Sequence, residues 1–339
     1  MNLSQARATL PTYSADMFSV SGVSITGVGF HAPGRVFTNA DLVGGLETSD
    51  SWIRDNLGIV SRRFIDHPDE TVLDLARVAS QRALSSAALD ASDLTGVIVA
   101  TTTAPMRAPS TACQVAGQLG ISTGAFAFDV QAVCSGFLYG LTIAANLLGG
   151  LTRGHILVIG ADAFSQITDF GSRNCVYFGD GAGAAVLTKE AGSPDNLFVS
   201  TLRADGRDAE GFRAEWGKPF DMRPKAVYDH ATSVLPKAIE DVVAAAKMSL
   251  DDVDYIVPHQ PSMRVLQALG TDLGVDDTKV LKNMSHFANT AAGTIPILLA
   301  ENAEAGTFTP GMTLVLAAVG SGWTWGATVL RWEGTRATS

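Results

Sequence analysis

The chain is sparing with sulfur, with charge and with long apolar runs. Its 339 residues contain three cysteines, Cys113, Cys134 and Cys175, with no Cys-x-x-Cys pair. An odd, scattered set excludes a disulfide framework and a zinc knuckle, and it fits a reducing compartment. No metal site is expected. No run of 18 apolar residues occurs, so no membrane span is expected. Residues 1–20 lack the continuous apolar core of a signal peptide. Basic charge is also short: 24 Lys and Arg stand against 34 Asp and Glu, a net charge of −10. That is the wrong sign for a general binder of nucleic acid or anionic lipid. A cytoplasmic protein with neither partner is the expectation. Apolar residues, by contrast, make up 46% and charged ones only 17%. A large core can be buried, in two domains or one duplicated one.

An internal repeat organises the chain. The helical stretch "TVLDLARVASQRALSSAAL" leads to "SDLTGVIVATTTAP"; later, "ATSVLPKAIEDVVAAAKM" leads to "LDDVDYIVPHQPS". "PSTACQVAGQLGI" then matches "PSMRVLQALGTDLGV", and "FDVQAVCSGFLYGLTIAANLL" matches "LKNMSHFANTAAGTIPILLAE". "HILVIGADA" matches "MTLVLAAVG", and "GDGAGAAVLTKE" matches "GWTWGATVLRWE". The order is the same in both halves. The expected organisation is an extension at 1–19, one β/α half at 20–190 and a second at 195–335. Continuous apolar strands between helices predict mostly parallel sheets covered on both faces. The helix after Cys134 is apolar around its circumference and belongs inside. With its counterpart beside it and sheets outside, the layers run α-β-α-β-α.

Ligand sites in open α/β sheets lie at the carboxyl ends of strands. Cys134 stands there, at a strand-to-helix corner. A free cysteine is often a small core residue. A corner of this kind, however, exposes nucleophiles in other α/β enzymes, and a helix N-terminus lowers a thiol's pKa. Cys113 and Cys175 lack the setting and are expected in the core. His259 ends the strand "DYIVP"; its alternative is a hydrogen-bonded structural histidine, and His286, close to Asn289, is a rival. Asn289 alone would be a helix cap, but the repeat superposes it on Cys134. A thiol, an imidazole and an amide at strand ends suit acyl transfer through a thioester. The thiolate is acylated, and neutral His and Asn donate to a second carbonyl as it becomes an enolate.

The motifs "TNADL", "TSDSWI", "PSTACQVAGQLG", "AFDVQAVCSGF", "FGDGAGAAVL", "VPHQPSMR", "ANTAAGTIP" and "TWGATVLRW" run in order over nearly the whole chain after residue 20. In them the sequence resembles the thiolase superfamily, specifically its β-ketoacyl-ACP synthase III group. The resemblance implies a five-layer αβαβα fold of two pseudo-symmetric halves and a catalytic Cys134, His259 and Asn289. It implies an oxyanion hole from the backbone N–H groups of Cys134 and Ser321. Trp52 and Arg173 match positions that sandwich the adenine of coenzyme A, and Arg264 matches a basic residue that helps dock acyl carrier protein. The implied partners are acyl thioesters on coenzyme A or carrier protein and a second copy of the chain; no resident cofactor is implied.

Departures from the group's usual residues are Asn56 for Arg, Ser262 for Asn, Pro224-Lys225 for Gly-Asn, and Ala288 and Ser321 for Gly. The region 205–222 is short, and Ala108 stands where a bulky aromatic often closes the partner's acyl pocket. The leading expectation is decarboxylative condensation of an acyl primer with a malonyl or β-keto thioester, in fatty-acid-like or specialised polyketide biosynthesis. The alternatives are acyl transfer to an oxygen or nitrogen acceptor, and a non-catalytic partner of a paralogous ketosynthase.

Overall fold

The computed structural model describes residues 17–192 and 196–335. The strands of the first half are β1 (Phe18–Ser19), β2 (Val23–His31), β3 (Val36–Thr38), β4 (Ser61–Arg63), β5 (Gly96–Ala100), β6 (Phe126–Val130), β7 (Gly154–Asp162) and β8 (Gly181–Lys189). Those of the second are β9 (Phe198–Ala204), β10 (Phe212–Arg213), β11 (Asp221–Met222), β12 (Tyr255–Pro258), β13 (Thr313–Gly320) and β14 (Thr324–Arg331). The helices are α1 (Asp50–Leu57), α2 (Val72–Ser86), α3 (Thr111–Leu119), α4 (Gly136–Gly149), α5 (Pro224–Ala245), α6 (Met263–Leu273), α7 (Met284–Phe287) and α8 (Thr294–Glu304).

Two five-stranded sheets form, ordered β2-β8-β7-β5-β6 and β1-β9-β14-β13-β12. Both are mixed rather than mostly parallel. β7, β5 and β6 run parallel, as do β12 and β13; the other pairings are antiparallel. Helices cover both faces, so strands read as continuous apolar runs whichever way their neighbours point. Of the expected extension at 1–19, residues 1–16 lie outside the described residues. Phe18–Ser19 instead form the edge of the second sheet, against β9.

Three cores separate the five layers. One lies between α2, α3 and the first sheet. The second encloses α4 and α8 between the two sheets. The third joins the second sheet to α5 and α6. α4 is buried along most of its length, although Leu147 near its C-terminus is exposed. Glycine decides how close α8 comes to the first sheet. A Cβ on Gly183 would meet the Ile297 nitrogen at 2.5 Å, and one on Gly160 would meet the Ala292 carbonyl oxygen at 2.0 Å. These contacts bring the starts of both central helices to a common centre.

Candidate active site

Cys134 sits in a short 3₁₀ turn, Val133–Ser135, between β6 and α4. Val133 has φ 48°, a left-handed conformation that a β-branched residue adopts only under constraint. The constraint comes from the other half. The Ser135 hydroxyl donates to the Ala132 carbonyl and shares a 2.8 Å hydrogen bond with the Thr324 hydroxyl. Gly320, ending β13, leaves no room for a Cβ, which would meet the Ala132 oxygen at 2.5 Å and the Ser135 nitrogen at 3.0 Å. Gly320 is thus packed against the Cys134 turn, and the hydroxyl of Ser321, next in the chain, donates to the Phe212 carbonyl.

His259 continues β12, its N–H bonded to the Ala317 carbonyl at 2.8 Å. The side chain is buried, and its Nδ1 has no hydrogen-bond partner. Burial pushes its pKa down to about 3, so the imidazole is neutral at physiological pH. Asn289 is buried between α7 and α8. Its Oδ1 accepts from the Ala291 N–H at 2.8 Å, which turns the amide nitrogen the other way, toward the Cys134 thiol. Ala288, just before it, has φ 56° and ψ −151°, a region natural to glycine.

The thiol's ionisation differs from the expectation. Its helix N-terminus does not leave it acidic. Burial pushes the Cys134 pKa up, the Asp162 carboxylate adds to this, and the Asn289 side chain opposes it. Of the other two cysteines, Cys175 is buried as expected, but Cys113 is exposed, on α3 beside the edge strand β6. His286 does not line the cavity that holds the other three.

Cys134, His259 and Asn289 meet in one cavity of about 760 Å³, a size that accepts a small-molecule ligand. Its inner wall is apolar. Phe178, Phe212 and Met222 belong to a cluster with Phe164 and Phe220, against which Val133 and Cys134 pack. Its outer wall is a single face of α6: Arg264, Gln267, Ala268 and Thr271, at the i, i+3, i+4, i+7 spacing. Trp52 also lines the cavity, and the Arg173 guanidinium lies 4.1 Å above its ring. Ala108 is exposed and away from this chain's own cavity. Sequence reasoning missed three features: Asp162, the Phe212–Met222 wall, and Gln267 and Thr271. Only the α6 pair carried a signal, the helical spacing from Arg264.

The profile for 3-oxoacyl-[acyl-carrier-protein] synthase III matches residues 128–206, and that for its C-terminal part matches 243–332. The β-ketoacyl-[acyl-carrier-protein] synthase III of Rhodospirillum rubrum is 38% identical over 319 residues, covering 91% of this chain and 98% of that protein. The chain belongs to the β-ketoacyl-[acyl-carrier-protein] synthase III family. It is a ketosynthase-type acyltransferase of thiolase fold. The 3-oxoacyl-[acyl-carrier-protein] synthase III of Aquifex aeolicus superposes with a TM-score of 0.88 at 35% identity, covering 92% of this chain and all of that one. The priming β-ketosynthase of the R1128 polyketide pathway gives 0.86 at 28% identity, over 93% and 97%. Within this synthase the departures Asn56, Ser262, Pro224 and Lys225 all line the cavity. No helix among the described residues is long and apolar enough to cross a membrane.

Proposed function

We propose that Cys134 carries the primer and that His259 and Asn289 serve condensation. The observation that carries this reading is the convergence of a thiol, a neutral imidazole and an oriented amide on one cavity with an apolar inner wall. In the first half-reaction the Cys134 sulfur attacks an acyl thioester of coenzyme A or carrier protein. The acyl–sulfur bond of the carrier breaks, the carrier leaves as its thiol with the Cys134 proton, and an acyl-Cys134 thioester remains. The N–H groups of Cys134 and Ser321 stabilise the oxyanion. In the second, a malonyl thioester places its carbonyl against the His259 and Asn289 donors and loses carbon dioxide. The enolate attacks the acyl-Cys134 carbonyl, and Cys134 leaves and regains a proton. No resident cofactor enters these steps.

The residues 20–190 supply the nucleophile in this reading, and 195–335 the donors. Trp52 and Arg173 hold an adenine, and Arg264 meets an acidic carrier protein at the mouth. A second copy completes the acyl pocket near Ala108. Free thiols and thioester carriers suit the cytoplasm. Five cavity-lining departures, Asn56, Ser262, Pro224, Lys225 and Ser321, favour a specialised primer or acceptor over the usual pair. Intact-mass measurement after exposure to acyl-CoA and acyl-carrier-protein panels tests the reading. Cys134→Ala should lose the acyl adduct entirely. Asn289→Ala should still acylate but condense on the order of 100–1,000-fold more slowly. An adduct on Cys113 or Cys175, or equal loss of both steps in Asn289→Ala, would overturn it.

A further inference from the structure

Asp162 ends β7 and is completely buried, yet among the described residues no cation pairs with it. Its Oδ1 accepts from the Thr102 N–H at 2.7 Å, the Thr103 N–H at 3.1 Å, and the hydroxyls of Thr103 at 3.0 Å and Thr101 at 3.3 Å. Its Oδ2 accepts from the Ala292 N–H at 3.1 Å, 130 residues away. This second bond reaches the turn that carries Asn289. The turn is strained: Ala288 and Ala291 both have positive φ. It is also pressed onto β7, where Gly160 leaves no space against Ala292. The bonds form one series. Asp162 holds the Ala292 N–H, the adjoining Ala291 N–H holds Asn289 Oδ1, and the Asn289 amide is thereby aimed at the Cys134 sulfur.

We propose that Asp162 is a positioning residue for condensation, which fixes the Asn289 amide through Ala292. This rests on the reading of Asn289 given above. Burial raises the Asp162 pKa to about 6, against the pull of its hydrogen bonds. A protonated Asp162 would present a hydroxyl to N–H donors that need acceptors, so the turn would lose its anchor. The other titratable groups nearby are accounted for. His259 stays neutral down to about pH 3, the Cys134 thiol is pushed up rather than down, and Asp180 bonds to Ser165 and Ile65 instead.

The test measures the two half-reactions separately in Asp162→Asn, by adduct mass and by single-turnover condensation from the acylated enzyme. Condensation should fall on the order of 10–100-fold, as expected of a misaimed group, while acylation does not fall with it. The iodoacetamide reaction of Cys134 should move to lower pH, because a nearby negative charge is gone. In the wild type, condensation but not acylation should fall as pH drops through about 6. Thr101→Val, which removes one donor to Oδ1, should move that fall to higher pH. This decides the matter even if Asp162→Asn does not fold. Equal loss in both half-reactions, an unmoved alkylation profile, or a pH fall indifferent to Thr101→Val would overturn the proposal. If Asn289→Ala condenses normally, the reading beneath it fails instead.

Discussion

His259 has its charged form excluded by burial alone, and this has a consequence for stability. In the unfolded chain a histidine binds a proton as pH falls through its ordinary value of 6.5; in the folded chain His259 does so only near 3. Between those values the unfolded state holds the extra proton, so His259 removes stability as pH falls. His259→Gln abolishes that loss. Its stability relative to wild type should rise by about 1.4 kcal/mol per pH unit below 6.5, reaching about 2–3 kcal/mol by about pH 4.5. Urea unfolding of both proteins at neutral and acid pH measures this, and a difference independent of pH would mean that His259 takes up its proton in the folded state as it does in the unfolded chain. The sequence made His259 visible because a polar residue directly ends an apolar strand. Asp162 ends "HILVIGAD" in the same way, but what distinguishes it is its partners, 60 and 130 residues distant. The thiol's ionisation was illegible for a related reason. The helix N-terminus that would lower it is local, and the burial that raises it is tertiary.

Among the elements, the central helices were legible because they are apolar all round; the α6 wall was missed beyond Arg264, although its 3.6-residue period carried a signal. Strand direction was not, since a doubly covered strand carries the same pattern in either sense. Nor was the inner wall. β10 and β11 are two-residue strands, too short for any periodicity. Phe212 and Phe220 reach the cluster through ring contacts that no spacing announces. At the mouth, α1 offers Trp52 and the 3₁₀ turn Arg173–Val176 offers Arg173. The pair is closed at 4.1 Å. For a base to stack between them about 7 Å, two van der Waals spacings, would be needed, and Arg173 would have to swing out and exchange one stacked partner for another. A desolvated contact of this kind contributes about 1–2 kcal/mol. Trp52→Ala should therefore raise KM for acyl-CoA about tenfold and leave acyl-carrier-protein substrates little changed. Steady-state kinetics with one acyl group on both carriers checks this; an equal rise with both would remove the adenine role.

At the scale of the whole molecule, the first sheet ends in an open edge. β6 pairs only with β5 among the described residues. The Phe126 N–H donates to Thr95 and the Val130 carbonyl accepts from Thr101, so residues 126, 128 and 130 turn their backbone groups toward β5. In a strand the alternate residues, Ala127 and Asp129, turn theirs outward. A flat apolar edge left open is a site for pairing with another chain. Pairing β6 to β6 across a twofold axis would join two five-stranded sheets, shelter the exposed Cys113 beside it, and bring the loop with Ala108 toward the partner. Proline at Ala127 removes an outward donor without touching the β5 ladder. Ala127→Pro should sediment as a monomer where the wild type sediments as a dimer, and its Cys113 should be alkylated faster. If the wild type is a dimer paired in this way, Ala108→Phe should shorten the preferred primer in the wild-type background and change nothing in the Ala127→Pro monomer. A length preference that moves equally in both would place Ala108 in its own chain's pocket, and a monomeric wild type would remove the edge from the active site altogether.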